Sequence, residues 1–184
     1  TMPAVDAATG RVLLESPGRI ATSPDGHGGM LAALLRSGAL SDIERRGIRH
    51  LFYFQVDNPL VRPFDPLFIG LHVLTESEMS TKIARKVDDL ERVGNVCLRD
   101  GRLTVIEYSE FPESYARARN PDGSRRFDAG NLAIHLLDVD FVRRVTARSF
   151  DLPYRRAEKI VPYVDESGSV VVPTTANAAK LETF

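Results

Sequence analysis

The chain has 184 residues, 43% of them hydrophobic and 27% charged, which suits one domain large enough to bury a real core. A net charge of −1 excludes a broad basic field for nucleic acid or an anionic membrane, so any phosphate binding must come from a local site. No apolar run approaches the roughly 18 residues of a membrane span, and the opening residues have neither a basic nor an apolar signal region. The single Cys97 cannot close an internal disulfide. These features read as a soluble cytoplasmic protein, with Cys97 between Val96 and Leu98 as a buried, inert thiol on a strand.

Residues 11–15 form a short apolar run that reads as a strand closed by Ser16-Pro17-Gly18. Residues 23–29, S-P-D-G-H-G-G, are a glycine loop. From Met30, the leucines at 31, 34 and 35 have helical spacing, and Gly38 is a natural stop. Ser41 with Glu44 three residues on gives a capping box for a second helix over 41–46. Residues 50–56, H-L-F-Y-F-Q-V, read as a strand buried on both faces in the manner of parallel strands, ended by Asp57-Asn58-Pro59.

Asp65 then caps a helix through Leu74, and residues 81–86 read as a strand. Residues 93–98 and 103–108 flank Asp100-Gly101, a strong hairpin signal. Residues 110–119 are weakly helical and 120–126 a surface loop. Residues 132–137 read as a strand and 139–146 as a helix. A last hairpin is expected between 155–164 and 169–172. Alternating helices and strands followed by hairpins imply a mixed sheet in an α/β domain.

Three constellations offer chemistry. The loop at 23–29 opens into a helix, where glycines permit close approach of a ligand and free N–H groups face an acceptor; the alternative is a tight structural turn, and the absence of Gly-Lys-Ser/Thr excludes a P-loop. Asp57 follows the end of the most apolar strand, where a carboxylate can hold Mg²⁺ and through it phosphate oxygens; the alternative is an Asx-turn before Pro59. Glu107-Tyr108-Ser109-Glu110 and Asp128-Ala129-Gly130-Asn131 supply carboxylates and an amide for sugar hydroxyls, or decorate the surface. His27, His50, His72 and His135 have no metal-ligand spacing, so no zinc site is expected.

Taken in order, the segments L-L-E-S-P-G-R-I-A-T-S-P-D-G-H-G-G, F-Y-F-Q-V-D-N-P-L-V, V-G-N-V, V-I-E-Y-S-E, F-D-A-G-N-L-A-I-H, K-I-V-P-Y-V-D and N-A-A-K-L-E-T-F resemble the UDP-sugar pyrophosphorylases, the UDP-N-acetylhexosamine type above all. The resemblance covers nearly everything from Arg11 onwards. It implies a Rossmann-like α/β nucleotidyltransferase domain with a mixed central sheet. It also implies transfer of uridylyl from UTP to a hexose 1-phosphate, N-acetylglucosamine 1-phosphate first, to give a UDP-sugar and pyrophosphate.

By the same resemblance Pro24 and Gly26 flank the uracil, and Asp57 binds Mg²⁺ beside the α-phosphate. Gly94 sits against the sugar's substituent, Glu107 takes sugar hydroxyls with Tyr108 beside it, Asn131 binds the sugar, and Phe184 forms an aromatic wall. A side chain at Gly26 is expected to obstruct the base while leaving the exposed loop folded. Residues 1–184 contain no match to the family's L-x-G-G-x-G-T-R-L-G phosphate loop or its later lysine, and Ala178-Ala179 replaces a glycine-containing pair. The segment is therefore expected to be inactive by itself; the alternative function is a non-catalytic UDP-sugar-binding remnant.

Overall fold

The computed structural model describes residues 1–147, 152 and 154–183. The chain divides into two compact units, one made of Thr1–Gly47 with Val142–Phe184, the other of Ile48–Phe141.

The first unit begins with short strands, β1 (Met2–Pro3), β2 (Val5–Asp6), β3 (Leu14–Ser16), β4 (Arg19–Ile20) and β5 (Thr22–Ser23). β3 and β4 form a small hairpin, and β1 pairs with β5. The expected strand at 11–15 is thus mostly the approach to β3, with Val12 bridged to Val5. Helices α1 (Gly29–Arg36) and α2 (Ala39–Arg45) follow. The capping box is not used: Gly38 is left-handed at φ 78° and serves as N-cap, so α2 starts earlier and Ser41 lies inside it.

In the second unit β6 (His50–Tyr53) leads to α3 (Pro66–Leu74), β7 (Met79–Arg85), β8 (Asn95–Arg99), β9 (Arg102–Ile106), α4 (Glu113–Ala116) and β10 (Ala129–Asp138). The Asp65 side chain accepts the Leu67 N–H, the cap its position requires, with Pro66 opening the helix where no N–H is needed. Lys82 also donates to Asp65 at 2.5 Å. Asp100 and Gly101, at φ 52° and 75°, make the tight turn between β8 and β9.

β10 organises this sheet. Its second half pairs with β6, residue Gly130 pairs with Asn95 of β8, and its other edge pairs with β7, with a register shift between Asn131 and His135. All the pairings among the described residues are antiparallel, so β6 is not the doubly buried parallel strand expected: its four residues are only half buried. Phe68 of α3 packs on Ile134 and Leu136 of β10, with Phe52 beside them. Burial pushes the Cys97 thiol pKa up, which keeps it in the inert form.

Helix α5 (Val139–Thr146) lies where the sequence puts it and leads back into the first unit. There β11 (Tyr154–Lys159) pairs with β14 (Ala178–Thr183), which continues to β2; β12 (Tyr163–Val164) pairs with β13 (Val170–Val171). The last expected hairpin is therefore real only at its tip, because β11 takes a distant partner. Ala4, Leu13, Ala21 and Ala178 form this unit's core. No helix among the described residues is long and apolar enough to cross a membrane.

Candidate functional site

In the first unit the loop between β5 and α1 is fastened to the end of β14. The Asp25 carbonyl accepts both the backbone N–H and the hydroxyl of Thr183, each at 2.7 Å, and Gly28 N–H donates to the Thr183 carbonyl at 3.0 Å. Gly26 lies under this crossing at φ 82°, and a β-carbon there would run into the Thr183 backbone. The glycine is thus demanded by the fold itself, which corrects the expectation that a side chain at Gly26 leaves the loop undisturbed. Pro24 is exposed, and the buried Ser23 hydroxyl at the loop's root has no partner among the described residues. A cleft of about 340 Å³ is walled by Asp25, Gly28, Arg36, Thr146 and Thr183 among others, but not by Pro24 or Gly26.

In the second unit Asp57 stands in the turn after β6, exposed. The Asx-turn expected of it belongs instead to Asn58, whose side-chain oxygen accepts the Leu60 N–H at 3.1 Å. Among the described residues the Asp57 carboxylate has no hydrogen bond or ion pair.

Gly94, Glu107 and Asn131 come together in this same unit. Asn131 N–H donates to the Gly94 carbonyl at 2.8 Å. A β-carbon on Gly94 would stand 2.9 Å from Val105 Cγ1, 3.3 Å from Glu107 Oε1 and 3.6 Å from Asn131 Cβ. The Glu107 carboxylate, half buried, has no protein partner among the described residues. The Asn131 side chain uses only its oxygen, which accepts Ala133 N–H at 3.1 Å where β10 shifts register. Ala133 is at φ 51° in that shift. Around Gly94, which has no side chain, thus stand a carboxylate and an amide nitrogen that have no protein partner among the described residues. Partly buried groups of this kind carry a desolvation cost until a ligand completes them.

Tyr108 is placed differently. It is 47% exposed and lines a separate cleft of about 250 Å³ with Lys86, Asn95 and Phe111. Phe184 lies outside the described residues.

One supporting network was not legible in the sequence. Lys86 is buried, and its ammonium donates to Asn95 Oδ1 at 2.8 Å and to the Asp89 carbonyl at 3.1 Å. Arg119 and Arg125 grip the Asp89 carboxylate at 2.7 Å each, and their hydrogen bonds pull its pKa down to about 2. Arg125 also donates to the carbonyls of Lys86 and Val87 at 2.9 Å. Together these clamps fix the segment that delivers Gly94. As a string, R-K-V-D-D resembles an ordinary solvated face; only burial distinguishes it.

The family model described as UTP--glucose-1-phosphate uridylyltransferase matches residues 1–184. Human UDP-N-acetylhexosamine pyrophosphorylase-like protein 1 is 42% identical over 185 residues, covering 100% of this chain and 36% of that protein. The UDP-N-acetylglucosamine pyrophosphorylase of Saccharomyces cerevisiae is 37% identical over 186 residues, covering 100% and 39%. An Entamoeba histolytica crystal structure, solved as a candidate UDP-N-acetylglucosamine pyrophosphorylase, superposes with a TM-score of 0.88 at 32% identity, over 100% of this chain and 45% of its own. The chain thus spans 36–45% of the length of these relatives. A match that runs from the first residue to the last, on an α/β nucleotidyltransferase fold shared with these structures, shows that the chain belongs to the UTP--glucose-1-phosphate uridylyltransferase family.

Proposed function

We propose that the protein carrying this chain joins UTP to a hexose 1-phosphate, N-acetylglucosamine 1-phosphate in preference to glucose or galactose 1-phosphate, releasing pyrophosphate and a UDP-sugar. The observation that carries this reading is the convergence of Gly94, Glu107 and Asn131 with the Glu107 carboxylate and the Asn131 amide nitrogen left without protein partners among the described residues. A carboxylate accepts from sugar hydroxyls, an amide N–H₂ donates to them or to an acetamido carbonyl, and a glycine leaves room for the sugar's substituent. The names of the two relatives described above support the N-acetylated sugar, although the family model is described by the glucose ester.

In this reading a phosphate oxygen of the sugar 1-phosphate attacks the α-phosphorus of UTP in line. The new P–O bond forms as the bond to the bridging oxygen breaks, and that electron pair leaves with pyrophosphate. Asp57 fits a magnesium ligand, because a single exposed carboxylate without a protein partner among the described residues suits an ion completed by substrate phosphates and water. Mg²⁺ held there supplies neutralisation of charge at the α-phosphate. Glu107 and Asn131 fix the sugar so that its phosphate oxygen is presented, which is the positioning on which such transfers rest. Pro24 and Gly26 are assigned the uracil. Tyr108 is assigned to the margin of the sugar site.

The test is pyrophosphate release by the full-length protein with UTP and each of the three sugar 1-phosphates. N-acetylglucosamine 1-phosphate is expected to give the highest kcat/KM. Asp57→Ala is expected to lower turnover at least 100-fold, about 2.7 kcal/mol. Turnover within tenfold of the parent would remove Asp57 from the metal role. UDP-sugar binding with no turnover on any of the three would favour the non-catalytic alternative.

A further inference from the structure

We propose that the second unit has a binding site for a late first-row divalent cation of the zinc class, formed by His50, His72 and Asp138. These residues begin β6, lie within α3 and end β10, and are separated by up to 88 positions in sequence. Their ligand atoms all lie within 4.8 Å of one another. His50 Nδ1 stands 2.6 Å and His72 Nε2 3.3 Å from the same carboxylate oxygen, Asp138 Oδ1. Ligands about 2.0–2.1 Å from a tetrahedral zinc stand about 3.3–3.4 Å apart. The His72 spacing already meets that value. The His50 spacing to Asp138 must open slightly, and its ligand nitrogen must reach the same distance from that of His72, within the 4.8 Å that bounds the group. The 28% side-chain exposure of His50 permits both.

Two further features suit the binding of a metal at this cluster. The first is the outer partner of His72: its Nδ1 lies 2.8 Å from Ser80 Oγ, and the ring is almost wholly buried. In the metal-free protein both imidazoles donate to the Asp138 carboxylate, and the Ser80 hydroxyl donates to His72. On metal binding the ring protons move to the opposite nitrogens, so Nε2 of His72 becomes a ligand and Nδ1–H donates to Ser80. No proton is lost overall, and the hydroxyl simply reverses its role. An outer hydrogen bond of this type fixes the tautomer of a metal-bound histidine. The second feature is access: with Asp138 33% and His50 28% exposed, one coordination position faces solvent and can take water.

The site is distinct from the one proposed for catalysis. His50 and Asp138 are cross-strand partners at the end of the β6–β10 pair remote from Asp57 and Asn131, with Asp138 seven residues beyond Asn131. In extended chain that is on the order of 20 Å. His₂-carboxylate ligation selects a borderline cation rather than the hard Mg²⁺ assigned to Asp57. The bound ion would tie α3 to two strands, so its effect is on stability.

The test uses the full-length protein stripped with chelator, in excess Mg²⁺, titrated with Zn²⁺ by calorimetry and then substituted with Co²⁺ for visible spectroscopy. We expect one zinc equivalent per chain that is lost or weakened at least tenfold in His50→Ala and in Asp138→Asn. Ser80→Ala is expected to weaken it by about tenfold, the usual cost of an outer partner. Zinc should also raise Tm in the parent and not in His50→Ala. His27→Ala and His135→Ala should bind as the parent does. Equal zinc affinity in His50→Ala, or loss in either control, overturns the assignment, as does no binding at all. If Asp138→Asn fails to fold, partly exposed His50→Ala decides. No readout depends on uridylyl transfer, so the two proposals fail separately.

Discussion

Replacing Gly26 by alanine should destabilise the first unit, and the structure gives the size of the effect. A residue with a side chain in the left-handed region costs about 1–2 kcal/mol. The new β-carbon also meets the Thr183 backbone, which is held in place by two hydrogen bonds of its own and one of its side-chain hydroxyl, to Asp25 and Gly28, and cannot withdraw cheaply. Overpacking of this kind costs about 1–3 kcal/mol. The total is about 2–5 kcal/mol, a large share of ordinary domain stability. For a chain of this size it corresponds to a fall in Tm of roughly 4–20 °C. The control is Gly101→Ala, which has a similar φ of 75° but nothing within 4 Å of its β-carbon, so it bears the backbone cost alone. Urea denaturation of both variants with the parent, followed by amide exchange at Gly28 and Thr183, separates the two contributions. If Gly26→Ala is no less stable than Gly101→Ala, the close approach of Thr183 is not a constraint and the reasoning is wrong.

Gly94→Ala should raise KM for the sugar 1-phosphate by about tenfold or more, because the methyl group crowds Val105 Cγ1 at 2.9 Å and the Glu107 carboxylate at 3.3 Å, and the hydrogen bond proposed from a substrate hydroxyl to Glu107 would be worth about 1.5–3 kcal/mol. KM for UTP should change little, and an equal rise in both would refute the placement. Asp89 has its pKa lowered to about 2 by Arg119 and Arg125, so the stability it contributes is full above about pH 4 and is lost as pH falls towards 2. The difference in urea midpoint between the parent and Asp89→Asn should therefore close over that interval; a difference independent of pH would contradict it.

What the sequence revealed was the structure made by neighbours. Asp65 before a helix, Asp100-Gly101 between two apolar runs, and the short helix at Val139–Thr146 are each local, and each stands where expected. Structure made by distant partners was hidden. Residues 155–164 read as a hairpin arm, but the partner of β11 is β14, whose A-A-K-L-E-T is a poor strand sequence that pairs with β11 and β2. The capping box at Ser41 lost to a glycine already turned left-handed three residues earlier.

The candidate site divides in the same way. Asp57 was visible as a carboxylate after an apolar strand. Residue chemistry pairs Glu107 with Asn131 as candidate sugar ligands, but nothing in the spacing announces that they meet Gly94, which resemblance alone adds. The buried lysine clamp and the His50–His72–Asp138 cluster carry no local signal, since each is assembled from separate elements.

The position of β10 has a consequence for how the second unit is made. Its residues 129–138 pair with β6, β7 and β8, yet it is the last strand of the unit in sequence. Only the β8–β9 hairpin can close when it emerges. At roughly 5–20 residues per second, the interval between synthesis of β6 and of the strand that covers its edge is about 4–15 s. Throughout that time Leu51, Phe52 and Tyr53 have no sheet partner among the described strands. The sheet therefore waits for a single late strand, its contacts are long in sequence, and its folding should be correspondingly slow. Until β10 arrives, the most apolar segment of the unit is an open edge on a nascent chain, available to a chaperone or to another copy of itself.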